Sequence, residues 1–381
     1  MFFDNQEKDK REQYQQFLEI VGSLSNLFSN SNSPYLYYRI AEKIFCRAFN
    51  ANDLSRSDVS ADAKKEALGI GLKTFLSNNN QTFQKIAEFN SSRGTYITLP
   101  PEELVQEVAR LRNNRIDFTE KIHSLDQSIY HCVVRDKNRF KIFEESMDRI
   151  NIEKITGVKR KKNSISFNDE LHEYSFLLSK STLTKRFKTT RCLFEFDVMI
   201  LKDPLIELQK CLFKKDSLEF QKCLSKGDSF DFQGDVYQQT IFLPLYGKNK
   251  TVYKKSGLNQ WNARGRKRDP DEVYIPVPRL IHINFPDFFP DRETSFELVF
   301  PDGEKVPAKI CQEGGKALMT KSNRKLGKLI LRDGLKLKEG ELATYEKLQL
   351  LGIDSVRIDK INETTYEINF AKTNSYEAFF T

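Results

Sequence analysis

Apolar residues recur at helical spacing near the start of the chain and at strand spacing over much of the remainder. Phe17, Ile20, Val21, Leu24 and Leu27 lie three or four apart and predict an amphipathic helix over 6–28. A Ser/Asn turn follows at 29–33. A second helix is expected over 34–49, with Ile40, Ile44, Phe45 and Ala48 on one stripe. The period then switches to two. Val59, Ala61 and Ala63 alternate with Asp58, Ser60 and Asp62, and Leu68, Ile70 and Leu72 alternate with Gly69, Gly71 and Lys73. These two stretches, joined by the polar Lys64-Lys65-Glu66, predict an antiparallel hairpin. A helix is expected over 81–89. Pro100-Pro101-Glu102-Glu103 is a strong helix start, with helical pattern running to about Met147.

Strands are expected again over 173–178 and 192–201. Residues 227–270 are rich in Gly, Asn, Lys and Asp and place a domain boundary there. Beyond it short strands are expected over 273–277, 296–300, 305–311, 355–361 and 365–370. Pro301-Asp302-Gly303 makes a hairpin turn, and helical pieces fall near 323–332 and 344–351. The resulting division is a first domain over 1–235, a linker over 236–252 and a second domain over 253–381, in a chain of 381 residues that is long for one core.

Charge sharpens the picture by where it sits. The excess is modest, 61 Lys+Arg against 53 Asp+Glu. Basic residues gather at Lys159-Arg160-Lys161-Lys162, at Lys180, Lys185, Arg186, Lys188 and Arg191, and over 254–268. The first two runs read equally as solvated loops. The third interleaves with Asn259, Gln260, Trp261 and Asn262, side chains that pair with base edges or stack. Six scattered cysteines without a CxxC pair argue against a zinc or disulfide framework. With no leader and no long apolar run, a cytoplasmic location is expected.

Hydrolysing a phosphodiester near neutral pH calls for a hard cation held by carboxylates, with a lysine beside it to stabilise charge. The hairpin offers this combination. Asp58 and Asp62 share a face of the first strand, and Lys73 leaves the second on the face of Gly69 and Gly71. Glu42 precedes the hairpin on a helix, and Glu88 follows it. The stretch SRSDVSADAKKEALGIGLKTFL, then FQKIAEFN, resembles the PD-(D/E)XK nuclease core of many type II restriction endonucleases. The resemblance implies an α/β (α+β) domain with a central mixed sheet and a helical insertion. It also implies Mg²⁺ held by Asp62 (or Asp58) and Glu88, Lys73 as the motif lysine, and Glu42 as an accessory acid. The acid that the family places two residues before the lysine is Gly71 here, so Glu88 stands as its displaced counterpart. His172 and Glu173 read as structural. An HxK pair, a P-loop and a GxGxxG are all missing, which disfavours metal-independent phospholipase-D-type and ATP-driven chemistry.

The stretch from Lys254 through Pro290 and the stretch AKICQEGGKALMTKSNRKLGKLILRD resemble the C-terminal recognition region of restriction endonucleases with an all-β-rich, B3-like pseudobarrel, over about 253–370. Domains of that kind grip the major groove with two arms. Mapped here, the first arm carries Lys255, Asn259, Gln260, Asn262, Arg264 and Arg266, with Trp261 either stacking or anchoring the arm to the barrel. The second carries Gln312, Lys316, Ser322, Asn323 and Lys325, and Lys180 adds a phosphate contact. Asn and Gln suit adenine and Arg suits guanine, while Lys and Ser hold phosphates. The resemblance implies a Mg²⁺-dependent type II restriction endonuclease acting on double-stranded DNA as a homodimer, beside a cognate DNA methyltransferase. The rival readings are a non-catalytic DNA-binding regulator and a nuclease directed at modified DNA.

Overall fold

The computed structural model describes residues 1–54, 59–213, 239–292 and 294–380. Asp58 lies outside the described residues.

A six-stranded mixed sheet forms the first half. It comprises β1 (Asn52–Asp53), β2 (Ala63–Lys65), β3 (Leu68–Leu76), β5 (Gln127–Asp136), β6 (Arg139–Ser146) and β11 (Phe194–Asp197), in that order. β3 and β5 pair in parallel; the other pairs are antiparallel. Alternation along β3 explains the layering. Ile70 and Leu72 face α1 (Lys8–Ser23) and α2 (Tyr38–Phe49), in a core with Tyr14, Leu18, Phe45, Phe49, Val133 and Ile142. Phe75, on the other face, joins Tyr130, Cys132, Val134 and Ile116 of the long helix α4 (Pro101–Ile122). Full burial of rings such as Phe45 and Phe49 contributes roughly 1.5–3 kcal/mol apiece.

A second, five-stranded antiparallel sheet has the order β4 (Gln81–Glu88), β10 (Thr182–Lys188), β9 (Glu173–Leu177), β8 (Ser164–Asn168), β7 (Thr156–Arg160). It packs on the N-terminal half of α4 through Leu104, Val105 and Val108.

The third sheet has seven strands in the order β12 (Gln239–Pro244), β17 (Ile353–Lys360), β18 (Thr365–Lys372), β14 (Phe296–Val299), β15 (Lys305–Cys311), β16 (Ala317–Thr320), β13 (Ile275–Pro276). Its first and last strands approach within 8 Å, so the sheet nearly closes into a barrel. That architecture fits a B3-like domain. Four short helices decorate it: α6 (Arg279–Asn284), α7 (Asn323–Gly327), α8 (Tyr345–Leu351) and α9 (Ser375–Phe379).

The two halves share α4. Phe118 and Ile122 leave the first sheet behind and enter the barrel core, with Phe118 5.2 Å from the Phe370 ring.

Several elements differ from the pattern read in the sequence. The expected helix over 81–89 is strand β4, because pairing with β10 overrides a short apolar spacing compatible with either period. The helix from 101 ends at Ile122 and not near 147. His123 caps it, and the β-branched and aromatic run through Val134 enters the sheet, with a tight return at Asn138, φ +50°. The first hairpin strand is Ala63–Lys65, so the polar connector is partly strand and Glu66 makes the turn at φ +54°. Residues 239–244, placed in a linker, form β12 and pair with β17 along their whole length. β16, read as part of the second arm, is a barrel strand.

Candidate active site and nucleic-acid interface

Asp62 stands where the chain enters β2. Its N–H donates to the Ile70 carbonyl at 2.8 Å, extending the ladder to β3, and its Oδ2 accepts from the Leu72 N–H at 2.7 Å. The carboxylate is thereby held against β3, where Lys73 Nζ lies 3.8 Å from the same oxygen. Burial pushes the Asp62 carboxyl up, opposed by the Lys73 charge and the Leu72 N–H. Both side chains keep 25% exposure, so the pair is open to a ligand.

Glu42 approaches from α2. It is 6% exposed, and its Oε2 has no hydrogen-bond partner among the described residues. Burial, then the neighbouring Asp62 and Asp53, raise its carboxyl to about 7. Asp53 on β1 acts on Glu42, Asp62 and Cys46 alike, and burial together with these acids pushes the Cys46 thiol up. The structure therefore brings together Asp62, Lys73 and Glu42 and adds Asp53, which sequence reasoning missed. Its only signal was an acid directly after the helix that carries Glu42.

Glu88 is not part of this group. It ends β4 in the second sheet, where Lys85 and Asn90 hold it, and the charges that act most on Asp62 are Lys73, Asp53 and Arg39. The notion of a displaced acid at Glu88 fails because the segment is a strand of another sheet. The glycine at 71 has a packing reason. A Cβ there would lie 2.6 Å from Met147 Cε and 3.2 Å from the Tyr130 ring, so a side chain at this position would have to displace both.

The fit to a divalent cation rests on one observation. A buried carboxylate oxygen on Glu42 that has no partner among the described residues, beside a second carboxylate, is a polar deficit that a hard cation satisfies. Among the described residues no three His, Cys, Asp or Glu side chains form a ready metal cluster. Asp62 and Glu42, with Asp53 acting on both, are the acids that would hold one.

Other buried polar groups surround the site without entering it. Arg112, 2% exposed, donates to Ser60 Oγ at 2.9 Å and to the Tyr130 hydroxyl at 2.7 Å, and Thr119 Oγ1 accepts from the Ser60 N–H. These bonds fix the segment leading to Asp62 against α4. His172 sits 3.1 Å from Asp148 Oδ2 as a structural pair.

The first arm divides into scaffold and contact residues. Asn259 is fully buried. Its amide donates to the Tyr253 and Ala343 carbonyls, and its Oδ1 accepts from the Ala343 N–H at 2.9 Å. It cannot reach a base, because every polar atom of its amide is used within the barrel. Trp261 packs on the barrel core, and Gln260 accepts from Arg268. Arg266 is tied to Glu272 at 2.7 Å, and Arg268 to the same carboxylate. Asn262 donates to the Lys254 carbonyl but keeps an exposed side chain. Lys255 and Arg264 are exposed.

In the second arm Gln312, Lys316 and Ser322 are exposed, Gln312 at φ +67°. Lys325 is paired with Glu304, and Asn323 is half-buried with its Oδ1 unpartnered among the described residues. Arg324 lies 3.9 Å from Asp269, which joins the two arms. Arg332 braces the first arm through Asp271 at 2.6 Å and the Pro270 carbonyl. Lys180 is exposed in the turn between β9 and β10.

Among the described residues no helix is long and apolar enough to cross a membrane. No curated protein matches the chain. Residues 235–362, about a third of the chain, match the family model of the NgoFVII C-terminal B3-like DNA-binding domain. The nearly closed barrel therefore is similar to the DNA-binding domain of a restriction enzyme, and DNA binding is the activity that this likeness supports.

Proposed function

We propose that this chain is a Mg²⁺-dependent restriction endonuclease, with the first half cutting double-stranded DNA and the C-terminal barrel reading a short sequence. The observation that carries the reading is the meeting of Asp62 and Lys73 at the β2–β3 edge, with the buried Glu42 carboxylate alongside, in a chain whose remaining third matches a B3-like DNA-binding domain.

Asp62 and Glu42 would hold the cation. When bound, Mg²⁺ supplies charge neutralisation at the phosphate and lowers the pKa of a water. The chain's own contributions follow from geometry. Asp62 is oriented by the Leu72 N–H, so its free oxygen is presented and not averaged over rotamers. Lys73 places a positive charge within reach of a developing negative oxygen. Lys255, Arg264, Gln312 and Lys316 remain available to DNA in the two arms. Cutting two strands calls for two such sites, which a homodimer supplies, and a cognate methyltransferase would protect the host sequence.

The test is incubation of the full chain with phage DNA, with Mg²⁺ and with Mg²⁺ plus chelator. Discrete fragments that vanish with chelator support the reading. A mobility shift with no cleavage in any divalent cation leaves a DNA-binding regulator instead. Cleavage confined to methylated substrate identifies a nuclease of modified DNA.

A further inference from the structure

Two turns at one end of the second sheet form a single basic rim. The turn between β7 and β8 (161–163) and the turn between β9 and β10 (178–181) lie side by side, with the Leu178 N–H donating to the Asn163 carbonyl at 2.9 Å. The register Thr182↔Glu88 brings the end of β4 and residues 89–93 to the same place. Arg93 then closes the edge, donating to the Leu178 carbonyl at 2.6 Å and to Ser181 Oγ at 3.3 Å.

Six exposed cations crowd this end: Arg93, Lys159, Arg160, Lys161, Lys162 and Lys180. Among the described residues none of them forms an ion pair with an acid, and Glu88 at the same end is already held by Lys85. A solvated charge run is ordinary, but one hairpin tip would have sufficed for that. Here separate turns are hydrogen-bonded together so that their cations add, at a cost in mutual repulsion that an anionic partner offsets. The rim is also tied to the reading domain. Ser92 Oγ donates to the Gln349 carbonyl at 3.5 Å, at the end of α8. The other end of that helix follows Ala343, whose backbone is gripped by Asn259 of the first arm. One seven-residue helix, about 10 Å long, separates the rim from the arm.

We propose that this rim is a second DNA contact surface, holding the phosphate backbone of a duplex outside the base pairs that the arms read. The proposal rests on the DNA-binding reading above and extends it to a surface without base-reading chemistry. Each phosphate neutralised by a rim cation releases counterions, which gives a direct measurement.

The experiment compares the salt dependence of binding to a mixed-sequence duplex, without divalent cation, for three full-length proteins. They are the wild type, a rim variant (Lys161→Ala, Lys162→Ala, Lys180→Ala) and a control with equal charge loss (Lys8→Ala, Lys154→Ala, Lys188→Ala). The slope of log affinity against log salt should fall in magnitude by about 2–3 in the rim variant and by less than about 1 in the control. In a separate incubation with Mg²⁺, the ends of the fragments should be the same for rim variant and wild type. Equal slopes in the rim variant and wild type, or equal losses in rim and control, overturn the proposal and leave the DNA-binding reading standing. A wild type that binds no duplex overturns both.

Discussion

Lys73 Nζ lies 3.8 Å from Asp62 Oδ2, and the same oxygen accepts the Leu72 N–H. Ten residues of sequence separate the acid from that N–H, yet the β2–β3 turn at Glu66 folds them onto one edge. An ion pair a quarter exposed contributes little to stability by itself, so its orientation by a backbone donor points to a task other than holding the fold.

Replacing Lys73 with Ala should therefore lower Mg²⁺-dependent cleavage by about 10²–10³-fold, the loss typical of one preorganised donor, with duplex affinity nearly unchanged. Parallel cleavage and mobility-shift titrations check this. Turnover near the wild-type rate would remove Lys73 from the chemistry.

Glu42 and Glu88 make opposite predictions although both were candidate acids. Glu42 is 6% exposed, with a carboxylate oxygen that has no partner among the described residues and Asp62 as its neighbour, whereas Glu88 is held by Lys85 and Asn90 in another sheet. Glu42→Gln should raise the Mg²⁺ concentration needed for half-maximal cleavage by at least tenfold. Glu88→Gln should leave that concentration and the rate within a factor of two, as expected of an exposed surface pair worth about 0–1 kcal/mol. A Mg²⁺ titration of both variants decides between them, and a larger effect at Glu88 would restore it as the second acid.

The same contrast explains what was legible in the sequence. Asp62 and Lys73 lie within one local hairpin, so period-two alternation and a short turn were enough to bring them together, and the helix bearing Glu42 comes shortly before it in the chain. Glu88 was misplaced because its segment is fixed by partners almost a hundred residues away on β10, which local spacing does not encode. The barrel showed the same split. β15, β17 and β18 were legible from alternating branched residues, whereas β12, with its short apolar run Ile241–Leu243, was absorbed into a connector because the residues that follow it are rich in Gly, Asn and Lys. Asn259 was misread for a related reason: an amide suits a base edge and a buried backbone equally well, and only burial separates the two.

Arm residues should sort by that burial. Asn259→Ala strips the Ala343 N–H of its acceptor and two carbonyls of their donor, and should lower stability by about 1–3 kcal/mol without changing which sequence is preferred. Arg264→Ala removes an exposed cation and should weaken specific binding by roughly 1–3 kcal/mol at unchanged stability if it meets a guanine. Chemical denaturation and binding to a cut-site duplex measure the two axes separately. A loss of sequence preference in the Asn259 variant would contradict the scaffold role.

The junction between the halves should be sensitive to acid. His123 follows the end of α4, is 1% exposed, and its Nδ1 lies 3.2 Å from the Pro301 carbonyl in the β14–β15 turn. Burial, with the Lys64 charge adding, lowers its pKa to about 4 from an ordinary 6.5. The folded state therefore resists a proton that the unfolded chain accepts. The neutral ring's contribution is fully present above pH 6.5 and is lost as the pH falls toward about 4, by up to roughly 3 kcal/mol over that window. Denaturation midpoints of wild type and His123→Gln at intervals from pH 7.5 to 4 check this, since Gln still donates to a carbonyl but does not titrate. The variant should be less stable than wild type at neutral pH and lose less as the pH falls. Parallel curves would show that carboxylates elsewhere, and not His123, set the acid sensitivity of the junction.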